Sequence, residues 1–114
     1  MKLDSETLDN GIIRIALNGR LDVAGTEAID LQFTALTATQ KSAVCVDMDQ
    51  VSFIASIGMR TLLSNAKALS QRGGKMVLAN LQPLVREALT TAGIDTLIPI
   101  YEDTDSALAA LAKA

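Results

Sequence analysis

The side chains able to do chemistry in this chain are few, and one serine stands out among them. In "VSFIASIGMRTLL", Val51 to Leu63, a short apolar run ends at Ser56, immediately ahead of a helical pattern. A hydroxyl in that place has two readings. As a helix N-cap, Ser56 accepts a bond from the free N–H groups of the first turn, contributing about 1 kcal/mol. The capping box that would reinforce it is missing, since Met59 stands where Glu or Gln is needed. With a helix starting at Ile57, the same hydroxyl lies at the C-terminal edge of a sheet, where α/β domains present their functional surface. There another protein can reach it and modify it. The junction alone leaves both readings open.

Most other chemistry is excluded by residue type. The chain has no His and one cysteine, so it has no Ser-His-Asp or Cys-His pair and no imidazole or multi-thiolate metal site. It has no glycine-rich phosphate loop. "RGGK", Arg72 to Lys75, follows a helical pattern instead of opening one, so it reads as a helix stop and not as an anion cradle. Asp47 and Asp49, at the end of an apolar strand, could be weighed as a cation site. "MDQ" is turn chemistry, however, and the carboxylates read as solvated groups ending the strand. No cofactor and no metal ion is expected.

These residues must be positioned by elements whose periodicity is visible. "DNG", Asp9 to Gly11, is a hairpin signal between Met1–Leu8 and Ile12–Leu17, where Ile13, Ile15 and Leu17 alternate with Arg14 and Ala16. The loop "NGRLDVAG" follows, and Thr26 is placed to cap a helix through Ala38, with Ile29, Phe33 and Leu36 on one face. "AVCVDM", Ala43 to Met48, is apolar on both faces, as a central strand is. A helix from about Ile57 to Gln71 carries Met59, Leu62, Leu63, Ala66 and Leu69 as a stripe, with Gly73 free to turn left-handed after it. "KMVLAN" is a strand, and Pro83 opens a short helix ending before Gly93. "TLIPIYED" reads as an edge strand because of Pro99, and Asp103 caps a last helix bearing Ala107, Leu108 and Leu111.

The predicted order is β-β-α-β-α-β-α-β-α: a mixed, mostly parallel sheet of about five strands with about four helices, one α/β domain over residues 1–114. The 114 residues are 49% hydrophobic and 20% charged, which suits a folded core and not a disordered segment. Aromatics are 3%, so that core is aliphatic. The net charge of −3, with scattered Lys and Arg, argues against nucleic acid. "MKLDSETLDN" is polar and acidic, unlike a signal peptide, and no apolar run approaches the roughly 20 residues that span a bilayer. The single Cys45 fits a reducing compartment as a small buried hydrophobe. A cytoplasmic protein without membrane insertion is expected, and a monomer.

"VDMDQVSFIASIGMRTLL" resembles the core signature of the STAS domain family, the bacterial anti-sigma factor antagonists, Asp-x-x-x-Val-x-Phe-(Ile/Met)-Asp-Ser-(Ser/Thr)-Gly followed by a helix. The match falls on Asp47, Val51, Phe53, Ile54, Ser56 and Gly58. "NGRLDVAG" resembles the family's Gly-x-Leu-Asp loop at Gly19, Leu21 and Asp22, and the segment from Gly73 to Leu111 follows its closing half in order and length. The resemblance implies a STAS fold and a binding module, not an enzyme. It implies that Ser56 is the phosphoacceptor of a GHKL-type serine kinase that is also the anti-sigma factor, and that a PP2C-type phosphatase restores the hydroxyl. The unphosphorylated form would bind that partner, with Asp22 beside the serine.

Two positions depart from the pattern: Ala55 replaces the usual Asp, and Ile57 replaces the following Ser or Thr. Ser56 is thereby the only hydroxyl in "IASIG". Ser56, Arg60 and Ser64, at i, i+4 and i+8, form one polar face expected to dock the partner together with the Asp22 loop. The departures leave other roles within the family open, as a subunit of a lipid-transport ABC ATPase complex or a non-phosphorylated scaffold. A small enzyme or nucleotide-binding domain lacks a base, a nucleophile pair and a phosphate loop.

Overall fold

The computed structural model describes residues 1–37 and 42–113. Strands β1 (Lys2–Thr7) and β2 (Ile13–Leu21) form the expected hairpin, antiparallel, with Leu3 opposite Leu17 and Glu6 opposite Arg14. Asn10 closes the turn by accepting from the Ile12 N–H, and Gly11 sits at φ +87, where other side chains are disfavoured. Helix α1 (Val23–Thr37), strand β3 (Ala43–Ile54), helix α2 (Ser56–Gln71), strand β4 (Lys75–Ala79) and helix α3 (Pro83–Thr91) follow. A 3₁₀ turn at Ile94–Thr96, strand β5 (Ile100–Tyr101) and helix α4 (Thr104–Ala112) complete the order. The five strands lie in sequence order, parallel from β2 onward.

Strand alternation divides the core in two. Ile13, Ile15 and Leu17 of β2, Val44, Val46 and Met48 of β3, and Met76 and Leu78 of β4 face one way. There they meet Ile29 and Phe33 of α1, Leu62 and Leu69 of α2, and Val85 and Leu89 of α3. On the other face Cys45, Val77 and Ala79 pack against Ile12 and against Ala107 and Leu111 of α4. Among the described residues, three helices thus cover one face and a single short helix part of the other. The uncovered part, over β1 and β2, carries Lys2, Asp4 and Glu6 opposite Asn18, Ala16 and Arg14, which suits a solvated antiparallel edge.

Four local expectations are corrected. Thr26 does not cap α1. It is buried in the second turn of the helix, and the cap is Asp22, whose Oδ1 accepts from the Gly25 N–H at 2.8 Å. The "NGRLDVAG" segment is not all loop, because β2 runs through Gly19 and Arg20 to Leu21. "TLIPIYED" yields a 3₁₀ turn and a two-residue strand rather than a long one, although β5 does lie at the sheet's edge. The predicted end of α1 at Ala38 lies outside the described residues.

The fourth correction is the largest. Asp47 and Asp49 do not end a strand; β3 continues to Ile54. Against β2 its register shifts twice: Ala16 pairs with Asp47 but Asn18 with Gln50, and Gly19 pairs with Val51 but Arg20 with Phe53. Each shift places an extra residue on β3, a bulge that turns the following side chains to the opposite face. The core positions are therefore Met48, Val51 and Ile54, three apart, with Asp49–Gln50 and Ser52–Phe53 turned to solvent.

Candidate functional site

The bulged half of β3 projects past β4, whose pairing stops at Asp47–Ala79, and delivers the chain to Ser56. Beside it, β2 delivers Asp22. Leu21 pairs with Ile54, and the Ala55 N–H donates to the Leu21 carbonyl at 2.9 Å, so α1 and α2 start side by side at one sheet edge. Gly58 permits this approach. A Cβ on it would lie 2.9 Å from Leu21 Cβ and 3.0 Å from the Leu21 carbonyl oxygen. That is why a helix following a strand so closely carries glycine in its first turn.

The N-cap of α2 is Ala55, in extended conformation, and no side chain caps the helix. Ser56 is the first helical residue, so the N-cap reading of its hydroxyl is corrected by one position. Its side chain is exposed, and among the described residues no hydrogen bond holds its hydroxyl. Residues within α2's first turn retain free N–H donors and the positive end of the helix dipole. An anionic group on Ser56 would sit against both. Arg60, one turn on, and Ser64, two turns on, are exposed on the same helix, away from the buried Leu62 and Leu69. Arg60 makes no ion pair among the described residues.

Asp22 is committed to structure as well as to surface. Its acceptance from Gly25, with Arg20 Nε 3.5 Å from Oδ2, holds its carboxyl below the ordinary carboxylate range, the Gly25 bond being the larger cause. Arg20 in turn stacks over the Phe53 ring at 4.3 Å from its centroid. This plate of Arg20, Phe53 and Asp22 exists because the second bulge turns Phe53 outward. Sequence reasoning missed it, since Phe53 in an apolar run reads as core.

α3 was also missed. A hollow of about 530 Å³ beside Ser56 is lined by Met59 and, from α3, by Leu84, Glu87, Ala88, Thr91 and Ala92. Leu84 is 75% exposed, and Val23, which follows Asp22, is 57% exposed. On its α3 side the serine is therefore bordered by accessible aliphatic groups and one carboxylate, Glu87. Leu84 could have been suspected from its place directly after the helix-opening Pro83.

Asp47 and Asp49 take a structural part. Asp47 accepts from Arg14 at 2.9 Å and from Asn80 at 3.1 Å, and its Oδ1 also receives the Asp49 N–H. Gln82, the N-cap of α3, donates to the Asp49 carbonyl. The bulge is thus tied to β2, to the exit of β4 and to α3. Among the described residues no cluster of three or more His, Cys, Asp or Glu could hold a metal ion. Likewise no helix among them is long and apolar enough to cross a membrane. Burial pushes the Cys45 thiol up to about 11, with Asp47 adding to the shift.

Comparison with known proteins agrees with this geometry. The family model for the STAS domain matches residues 6–107. BtrV of Bordetella bronchiseptica, named as a candidate anti-sigma factor antagonist, is 31% identical over 114 residues, covering all of this chain and 97% of the relative. The crystal structure of an anti-sigma factor antagonist from Mycobacterium paratuberculosis superposes with a TM-score of 0.86 at 24% identity, over 96% of this chain and 92% of that one. SpoIIAA, an anti-sigma factor antagonist, superposes in its unphosphorylated form with a TM-score of 0.75 at 20% identity, over 92% of each chain. The Bacillus protein's phosphorylated form gives 0.67 at 19%, over 92% and 96%. Fold, motif and relatives converge, and the chain belongs to the STAS domain family.

Proposed function

We propose that this protein is an anti-sigma factor antagonist whose binding is switched at Ser56. The unmodified form binds an anti-sigma factor that is also a GHKL-type serine kinase. Phosphorylation of Ser56 by that partner releases it, and a PP2C-type phosphatase resets the protein. The observation that carries this reading is the exposed, unbonded hydroxyl at the first position of an uncapped helix, set between the Asp22 turn and α3.

Physics favours a switch acting at an interface and not on the fold. A phosphate of charge about −1.5 to −2 is accommodated at a helix N-terminus, where donors and dipole favour it. The same charge opposes burial against a partner, above all one presenting carboxylates. Asp22, Ser56, Arg60 and Ser64 form the face proposed to meet that partner. Its relatives' names as anti-sigma factor antagonists, and a phosphorylated form known for SpoIIAA, support the reading.

Peptide mapping and intact mass of the protein isolated from its own cells test it. Phosphate on Ser56 under some growth condition is expected. Its absence under every condition, with partner binding unchanged between Ser56→Ala and Ser56→Asp, would contradict it.

A further inference from the structure

A second surface lies farther along α2, two turns and more beyond Ser56. Between α2 and the 3₁₀ turn, Leu63, Ala66, Lys67, Ser70 and Gln71 face Leu97 and Ile98 across a hollow of about 490 Å³. Leu97 stands 68% exposed at its rim, and Lys67 is the one charged side chain lining it. A ligand for this hollow should be an aliphatic knob flanked by carboxylate. The chain itself carries such a knob. Leu31 on α1 is 86% exposed, the most of any large hydrophobic residue described. Glu27 lies one turn before it and Asp30 on its flank, both exposed, and α1 has no basic residue among Val23–Thr37.

We infer that Leu31 of one copy seats in the Leu63/Leu97 hollow of a second copy, with Glu27 and Asp30 meeting Lys67. The alternative pairing of α1 with α1 is opposed by two carboxylates on each side, with no basic residue among Val23–Thr37 to meet them. Knob and hollow are different patches, so the contact is heterologous and does not close on itself as a two-fold dimer does. It adds subunits in a row. A knob of one leucine and its flanks makes a small interface, well below the standard size for stable complexes. Dilute protein is therefore monomeric, and association belongs to high local concentration. Ser56 lies outside both patches, so the inference stands apart from the proposed switch.

Sedimentation equilibrium of the purified full chain from about 10 µM to 1 mM tests it. The expected result is a weight-average mass that climbs above 12.0 kDa without levelling at twice that value, and climbs less at high salt. Leu31→Ser should weaken association about tenfold or more, the loss read from one buried anchor. Lys67→Glu alone and Glu27→Lys/Asp30→Lys alone should each be monomeric, whereas their equimolar mixture should associate again, because each knob then finds a hollow of opposite charge. A monomer at every concentration, a plateau at dimer, association surviving Leu31→Ser, or failure of the mixture to recover would overturn the proposal. All four positions are exposed, and circular dichroism of each variant confirms that the fold persists.

Discussion

At the scale of single residues, one side chain sets the α1 entry and a missing one leaves the α2 entry open. Asp22 caps α1 through the Gly25 N–H, so Asp22→Ala should lower the melting temperature by a few degrees. Because its carboxyl is held below the ordinary value, this contribution is present above the unfolded pKa and is lost as pH falls through the folded one. The gap between wild type and variant, measured by thermal melts across pH, should therefore close below about pH 4. Ala55 is the converse case: extended, at the N-cap of α2, and without a side-chain acceptor. Ala55→Asp should stabilise by about 1 kcal/mol in chemical denaturation. Cys45, buried with its thiol pushed up to about 11, should resist thiol reagents at neutral pH until the protein unfolds. Ser56 was legible as a hydroxyl at a strand–helix junction, but its place at the helix end was not. N-cap and first-turn positions differ by one residue, and only the extended backbone of Ala55 separates them.

At the scale of elements, β3 decides the site. Ala43 to Met48 announces a strand through its apolar run, whereas the segment from Asp49 to Ile54 buries every third residue. A period of three matches neither strand nor helix, so Asp47 and Asp49 read as a turn. The two bulges supply the missing rule, and the first is held by partners distant in sequence: Arg14, Asn80 and Gln82. No local pattern encodes that. Helices α2, α3 and α4 were legible because stripe, Pro83, Gly73 and Asp103 each act locally. Asp103 does accept from Ser106 as expected, and Gly73 adopts φ +83. The approach of α2 to β2 predicts that Gly58→Ala forces the helix entry off Leu21, at a cost of about 1–3 kcal/mol in denaturant unfolding. Between α1 and α2, buried Asn65 accepts from Thr37 Oγ1 at 3.0 Å and donates to the Thr61 carbonyl. Asn65→Ala should destabilise by about 1 kcal/mol, the net worth of the lost bonds, because the Thr37 hydroxyl keeps the Phe33 carbonyl as its acceptor at 2.8 Å.

At the scale of the whole molecule, the sheet is covered unequally. Three helices close one face, and α4 alone packs on the other, leaving the β1–β2 side polar. The helix entries and the bulged end of β3 gather Asp22, Phe53, Ser56 and Leu84 at one end, above an aliphatic core. The switch proposed at Ser56 would alter affinity without refolding the domain. Phosphorylation of Ser56 should leave far-UV circular dichroism unchanged and raise the melting temperature slightly, because the phosphate meets free N–H donors and Arg60 one turn on. The measurement that bears most directly on the central claim is a calorimetric titration of the anti-sigma factor kinase with unmodified and with fully Ser56-phosphorylated protein. The account predicts tight one-to-one binding by the first and at least a hundredfold weaker binding, about 2.7 kcal/mol, by the second. Equal affinity of the two forms would contradict it.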